Sequence, residues 1–170
     1  VALGHVFHTR SDTEVIVHAW EAWGERCVER FRGMFAVALW DRHRETLFLA
    51  RDRLGVKPLY YAILPDGTLL FGSELKSLLA HGGLARTIDP CAIEEYFALG
   101  YVAEPRTIFT GTKKLPPGHM LTVPRCEPVP EPEPAAGFAR HVADLVELGG
   151  DRRLVFRGDA GTIVAHLDQH

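Results

Sequence analysis

The densest apolar pattern in the chain lies in residues 31–61, FRGMFAVALWDRHRETLFLARDRLGVKPLYY. Residues 34–40 are apolar throughout, Asp41, Arg42, His43 and Arg44 interrupt them, and residues 46–50 turn apolar again after Thr46. This predicts two antiparallel strands joined by a short polar turn. Neither strand alternates, so both faces of their sheet are expected to be covered and the hairpin to be the most buried part of the molecule. The stretch 51–58 then breaks the pattern with opposite charges, a glycine and a proline. A loop of that kind is where a sheet can offer a site rather than a core.

Residues 2–9 are short and mostly apolar and read as a strand. A strand would send His5 and His8 to opposite faces. No third ligand follows at zinc-like spacing, so no metal site is expected. Ser11-Asp12-Thr13-Glu14 has the form of a capping box, with Ser11 accepting from the amide of Glu14 and Glu14 reaching back to the amide of Ser11. The helix after it places Val15, Ile16, Ala19, Trp20 and Trp23 on one stripe, and Gly24 is its stop. Asp12 sits in the first turn, where the helix dipole favours a negative charge. A short helix over 25–30 would bury Cys27 and Val28, with Phe31 beside them.

Beyond the hairpin, 59–64 and 68–72 are predicted strands around the turn Pro65-Asp66-Gly67. Ser73 is the expected cap of a helix over 73–79, with Glu74 at its positive end and Leu75, Leu78 and Leu79 inward. Asp89-Pro90 opens another helix, with Ile93, Tyr96 and Phe97 as its apolar face and Gly100 just past its end. Residues 101–109 read as irregular, 113–119 as a stiff turn and 120–123 as a last short strand. Proline and glutamate dominate 124–134, which predicts an extended, exposed linker. A helix over 139–148 and a hairpin pairing 153–156 with 162–167 are expected after it. The Arg157-Gly158-Asp159 triplet in that turn is too short to signal adhesion.

Composition narrows the classes. A chain of 170 residues allows one domain with a tail. A net charge of -3 leaves no electrostatic footprint for nucleic acid, and no basic block suits an anionic membrane. No apolar run is long enough to span a bilayer. Three widely spaced cysteines suggest a reducing, cytoplasmic setting. Cys91 has no histidine near it in sequence and is assigned no catalytic use. The chain opens Val-Ala-Leu-Gly, without an initiator Met or basic leader, which suggests a piece of something longer. Motifs for phosphate binding, paired zinc ligands or a nucleophile elbow are not found. The best polar cluster is Arg51 and Asp52 with Lys57 and Glu74. An ion pair pinning the loop to the strand ends is favoured over a charged cleft mouth.

Five separated motifs then agree: SDTEVI (11–16), RGMFAVALWD (32–41), RDRLGVKPLYY (51–61), FGSELKSLL (71–79) and LPPGH (115–119). In order and spacing, residues 7–123 resemble the glutamine amidotransferase domain of glutamine-hydrolysing asparagine synthetases. GYVAEPRTIF (100–109) is similar to the bacterial branch associated with exosortase and exopolysaccharide gene clusters. The resemblance implies an α+β fold, the four-layer α-β-β-α type of the N-terminal-nucleophile hydrolases, here N-terminally truncated. It divides the chain into a partial amidotransferase domain (1–123), a linker (124–136) and an unassigned segment (137–170).

It also implies chemistry. Glutamine is hydrolysed by an N-terminal cysteine thiolate whose own α-amino group is the base. An asparagine-glycine pair forms the oxyanion hole, an arginine holds the substrate carboxylate and an aspartate its amino group. A synthetase domain with ATP and Mg2+ then activates aspartate or a related carboxylate, and ammonia reaches it through a tunnel. A full-length homodimer is compatible with the resemblance. Asp12 matches the ammonium-binding aspartate. Arg51, Asp52, Gly55, Lys57, Pro58 and Glu74 match motif positions whose roles are structural, at the edge facing the next domain. Residue 1 is Val1 rather than cysteine, no cysteine lies near it, and the carboxylate-binding arginine and the asparagine-glycine pair, due before Phe7, are not found. No pyrophosphate loop of the Ser-Gly-Gly-Leu-Asp-Ser type follows. No catalytic residue and no cofactor are therefore assigned to this chain, and it is expected to be inactive alone. A non-catalytic relic or scaffold, and a small amino-acid binding module around Asp12, are the readings weighed against a partial glutaminase.

Overall fold

The computed structural model describes residues 4–135 and the backbone of a strand at 163–167. Helix α1 (Asp12–Trp23) runs into a 3₁₀ turn (Gly24–Arg30), then strands β1 (Ala36–Asp41), β2 (Thr46–Arg51), β3 (Tyr60–Ile63) and β4 (Leu69–Gly72). Helices α2 (Leu75–Leu79) and α3 (Pro90–Leu99) follow, then β5 (Lys113–Lys114), β6 (His119–Pro124), β7 (Glu133–Pro134) and β8 (Ile163–Leu167). One sheet has the order β7-β6-β2-β1-β8 and the other β4-β3-β5. The described pairings are antiparallel apart from β1 with β8, which run parallel.

The hairpin forms as its pattern predicts, with Val37 opposite Ala50 and Leu39 opposite Phe48. These four residues face Ile16, Ala19, Trp20, Cys27 and Val28 of the helical layer. The alternate residues Ala36, Ala38 and Leu49 pack with Tyr61 of the second sheet and with Leu59 and Leu115, which adjoin its strands. Each face of the hairpin thus has its own core, which is why neither strand alternates. Burying Val37, Leu39 and Phe48 contributes about 1.5–3 kcal/mol each. On the far side of the second sheet, Ala62 and Leu64 pack with Leu78 and Leu84. Asp41 ties the hairpin to α1. Its carboxylate accepts from Trp20 Nε1 at 2.8 Å and from the amides of His43 and Arg44 at 2.9 and 3.0 Å. Burial pushes this carboxyl's pKa up, but those donors outweigh it and hold the pKa below the ordinary range.

Several expectations need correction. Residues 4–10 are irregular rather than a strand. The amides of His8 and Thr9 donate to the Glu14 carboxylate, both at 2.7 Å, so they are not available to a ladder. The capping box does not form for the same reason. Ser11 caps α1, but through the amide of Thr13 at 3.2 Å, and its own amide donates to Thr9 Oγ. Met34 precedes β1 and is exposed, as is part of Trp23, over which the Arg30 guanidinium sits at 4.3 Å. Glu74 rather than Ser73 occupies the N-cap of α2, and its carboxylate pairs with Lys76 at 2.6 Å.

Helix α3 is capped as expected, by Asp89 through the amide of Cys91 and by Gly100 in the left-handed region at φ 80. Its apolar face is not buried: Tyr96 is 56% and Phe97 82% exposed, and Ala92 is its buried residue. Within the expected turn at 113–119, Lys114 pairs with Tyr60 as a short strand. The 124–134 run is mostly exposed, but it lies along the sheet edge rather than leading away. Glu133 and Pro134 pair with β6, Ala135 is buried and donates to Gly118 O at 2.9 Å, and Val129 packs on the second core. Proline is acceptable there because the strand is an edge. The expected helix at 139–148, the strand at 153–156 and the 157–159 triplet lie outside the described residues. The other half of that predicted hairpin is β8, whose described partner is β1.

Candidate functional site

The loop after β2 is built by two adjacent residues that point to opposite faces of the strand end. Asp52 is 1% exposed, and its carboxylate gathers the amides of Leu54, Val56 and Lys57 at 3.1, 3.0 and 2.9 Å. Its carbonyl accepts from Gly55 and Gly118 at 3.1 and 2.8 Å. Arg51, equally buried, donates to the carbonyls of Lys57, Leu115 and Gly55 at 2.7, 2.6 and 2.5 Å. Its acidic partner is Glu104 at 2.9 Å, not Asp52. Gly55 sits at φ 65, where a Cβ would come within 2.7 Å of Pro117. Only glycine fits that close approach without strain.

Three of the four residues of the expected polar cluster are therefore in one place, but Lys57 takes part through its backbone. Glu74 is elsewhere, on the surface with Lys76. Glu104 was missed because nothing in an irregular stretch 53 residues from Arg51 marks it as a partner. It also borders a hollow of about 280 Å³, lined among others by Asp89, Glu95, Arg106, Thr112 and Lys113. Within that lining Arg106 pairs with Asp89 at 3.2 Å and with Glu95.

The second candidate region is the N-terminus of α1. The Glu14 carboxylate accepts from the amides of His8 and Thr9 and from the Thr9 hydroxyl. Those donors, led by the His8 amide, hold its pKa down at about 2. Asp12, half-buried at the same helix end, has a long 3.5 Å contact from Ser11 Oγ. Of the cysteines, Cys27 is 1% exposed, and burial pushes its thiol up to about 12, which leaves it inert. Cys91 and Cys126 are exposed.

A protein-family model described as a glutamine amidotransferase domain matches residues 1–131 of the chain. The chain belongs to the glutamine amidotransferase domain family. Glutamine-hydrolysing asparagine synthetase 3 of Bacillus subtilis (strain 168) is 47% identical over 122 residues, covering 71% of this chain and 20% of the synthetase. Asparagine synthetase 1 of the same organism is 38% identical over 122 residues, 72% of this chain and 19% of that protein. The amidase chyE of Penicillium rubens is 37% identical over 112 residues, 65% of this chain and 16% of that protein. The chain thus spans a fifth or less of the length of these relatives. The resemblance carried by the five motifs is borne out, and an amidotransferase domain of this family is a mixed helix-and-sheet structure here. Among the described residues no helix is long and apolar enough to cross a membrane.

Proposed function

We propose that this chain is part of the glutaminase domain of an asparagine synthetase-like amidotransferase, and that Asp12 receives the α-ammonium group of glutamine. The observation that carries the assignment is the division of labour at the start of α1. Ser11 satisfies the amide of Thr13, and Glu14 is occupied by residues 8 and 9, while among the described residues Asp12 has only the long contact from Ser11 Oγ at 3.5 Å to compete with a ligand. A half-buried carboxylate at a helix N-terminus suits an ammonium through a charge-assisted hydrogen bond. The succession of a helix layer, two packed sheets and a further helix supports the four-layer N-terminal-nucleophile fold for the complete domain.

On this reading the ammonia passes to an ATP-activated carboxylate such as aspartate in a synthetase portion outside this chain. ATP and Mg2+ act there, and no residue here is assigned to them. The 51–58 loop and the hollow beside Glu104 form a rigid edge suited to face that portion. Pro58 belongs to the loop's outline rather than to its hydrogen-bonded centre, and Glu74 lies elsewhere on the surface with Lys76. The test is a full-length form beginning with cysteine, assayed for glutamine-dependent and ammonia-dependent synthesis. Losing one charge-assisted contact costs about 1.5–3 kcal/mol, so Asp12→Asn is expected to raise the glutamine KM roughly 10- to 150-fold while leaving ammonia-dependent synthesis intact. An unchanged KM would leave Asp12 with no part in binding.

A further inference from the structure

Away from the core stripe of α1, three metal-ligating side chains converge. His18 and Glu21 are one helical turn apart, and His18 Nδ1 lies 2.9 Å from Glu21 Oε2. His5, from the irregular segment before the helix, brings its Nδ1 to 3.6 Å from the same oxygen. The three ligand atoms lie within 4.8 Å of one another. Zinc–ligand bonds near 2.0–2.1 Å set tetrahedral ligand–ligand edges of about 3.3 Å, within reach of side-chain adjustment from these positions. The two imidazole rings are stacked at 4.6 Å, and Phe7 packs edge-on against His18 at 4.9 Å, which fixes the rings side by side.

A plain ion pair accounts for one imidazole on the carboxylate. It does not account for a second ring delivered to the same oxygen by a separate segment. Nor does it account for His18 Nε2, which makes no hydrogen bond and faces Glu14 Oε1 at 3.8 Å. A carboxylate behind the distal nitrogen of a ligating histidine is the usual outer shell of a zinc site. Glu14 is fixed in that place by the amides of His8 and Thr9.

We propose that His5, His18 and Glu21 bind one divalent transition-metal ion of the zinc class, with Glu14 orienting His18, and that the ion clips the segment before α1 to the helix. Two imidazoles and a carboxylate suit such an ion, with the fourth position left to water. The sequence reading missed the site because it placed His5 and His8 on a strand. The other ligands come from the helix, thirteen and sixteen positions after His5.

The experiment uses the full 170-residue chain stripped with a chelator. Zinc affinity and stoichiometry are read by competition with a chromophoric chelator, cobalt(II) coordination by its visible absorption, and stability by melting with and without zinc. One ion per chain, a four-coordinate cobalt spectrum and a zinc-dependent rise in Tm are expected. Glu21→Gln and His5→Ala, both at the surface, should each weaken binding at least 10-fold and abolish the rise in Tm. Glu14→Gln should weaken it about 10- to 100-fold. The double variant Cys91→Ser/Cys126→Ser should bind as the parent does. Failure to bind one ion, binding unchanged in both His5→Ala and Glu21→Gln, or binding lost with the two cysteines would overturn the proposal.

Discussion

Asp52 offers the sharpest test of what the 51–58 loop is for. Its carboxylate receives three backbone amides while almost wholly excluded from water. Hydrogen bonds to a charged group contribute about 1.5–3 kcal/mol each. The full sum does not apply to Asp52→Ala, because Leu54 and Val56 are more than half exposed and water can reach their amides in the variant. One bond lost in full and two partly replaced by water give a destabilisation of about 3–4 kcal/mol, a large share of an ordinary folding free energy of about 5–15 kcal/mol. Asp52→Asn keeps one oxygen for Leu54 and Val56 but turns an amino group towards the Lys57 amide, for a loss of about 1–2 kcal/mol. Glu74→Ala, at an exposed pair, should stay within about 0.5 kcal/mol of the parent. Urea unfolding followed by Trp fluorescence measures all three. Trp20 is a suitable reporter, buried and 4.8 Å from Phe48. If Asp52→Ala unfolds within about 1 kcal/mol of the parent at unchanged m-value, the carboxylate does not hold the loop.

Two further outcomes follow from the titrating groups. The Glu14 pKa is lowered from 4.5 to about 2 in the folded chain, so its contribution is present above pH 4.5 and is lost as pH falls towards 2. Glu14→Gln should therefore melt with a flatter dependence on pH across that window, and an unchanged slope would show that the clamp on residues 8 and 9 is not formed. Cys27, buried with its thiol pushed up to about 12, should resist a thiol reagent at pH 8 while Cys91 and Cys126 react. Labelling of Cys27 in the native chain as fast as in denaturant would contradict its place in the core.

What the sequence revealed, and what it hid, divides along a physical line. The hairpin, the stripe of α1 and the Gly24 and Gly100 stops were legible because burial periodicity and helix termini are local properties. The apolar face of α3 was equally legible as a face. Periodicity cannot say whether another element covers it, and among the described residues Tyr96 and Phe97 remain exposed. The polar partners were the least legible. Arg51 and Asp52 are adjacent and oppositely charged, yet they do not pair with each other: Arg51 donates to carbonyls of the 51–58 loop and to Glu104, while Asp52 accepts from amides of the same loop. Glu14 matched a capping box, but residues 8 and 9 fold back and take its oxygens. Asp12 was singled out by family resemblance and not by spacing, since as a first-turn acid it looks like many others.

The hydrogen-bond pattern supplies a criterion that separates these acids. Asp52 and Glu14 do the same work at two places: each gathers backbone amides from an irregular segment that no ladder satisfies. A carboxylate so engaged is a structural anchor, because a substrate ammonium would have to displace backbone donors already in place. Arg51 meets the same standard as a cation, with three carbonyls and Glu104 around its fork. Charge density in a motif therefore does not locate chemistry in this chain. The charges of RDRLGVKP shape a loop, and Gly55 lets it close against Pro117. Asp12 differs from both anchors in that its contact is a long one to a hydroxyl that already serves the amide of Thr13. That difference in engagement, rather than its position in a motif, is what supports the proposal that Asp12 receives a ligand at the end of α1.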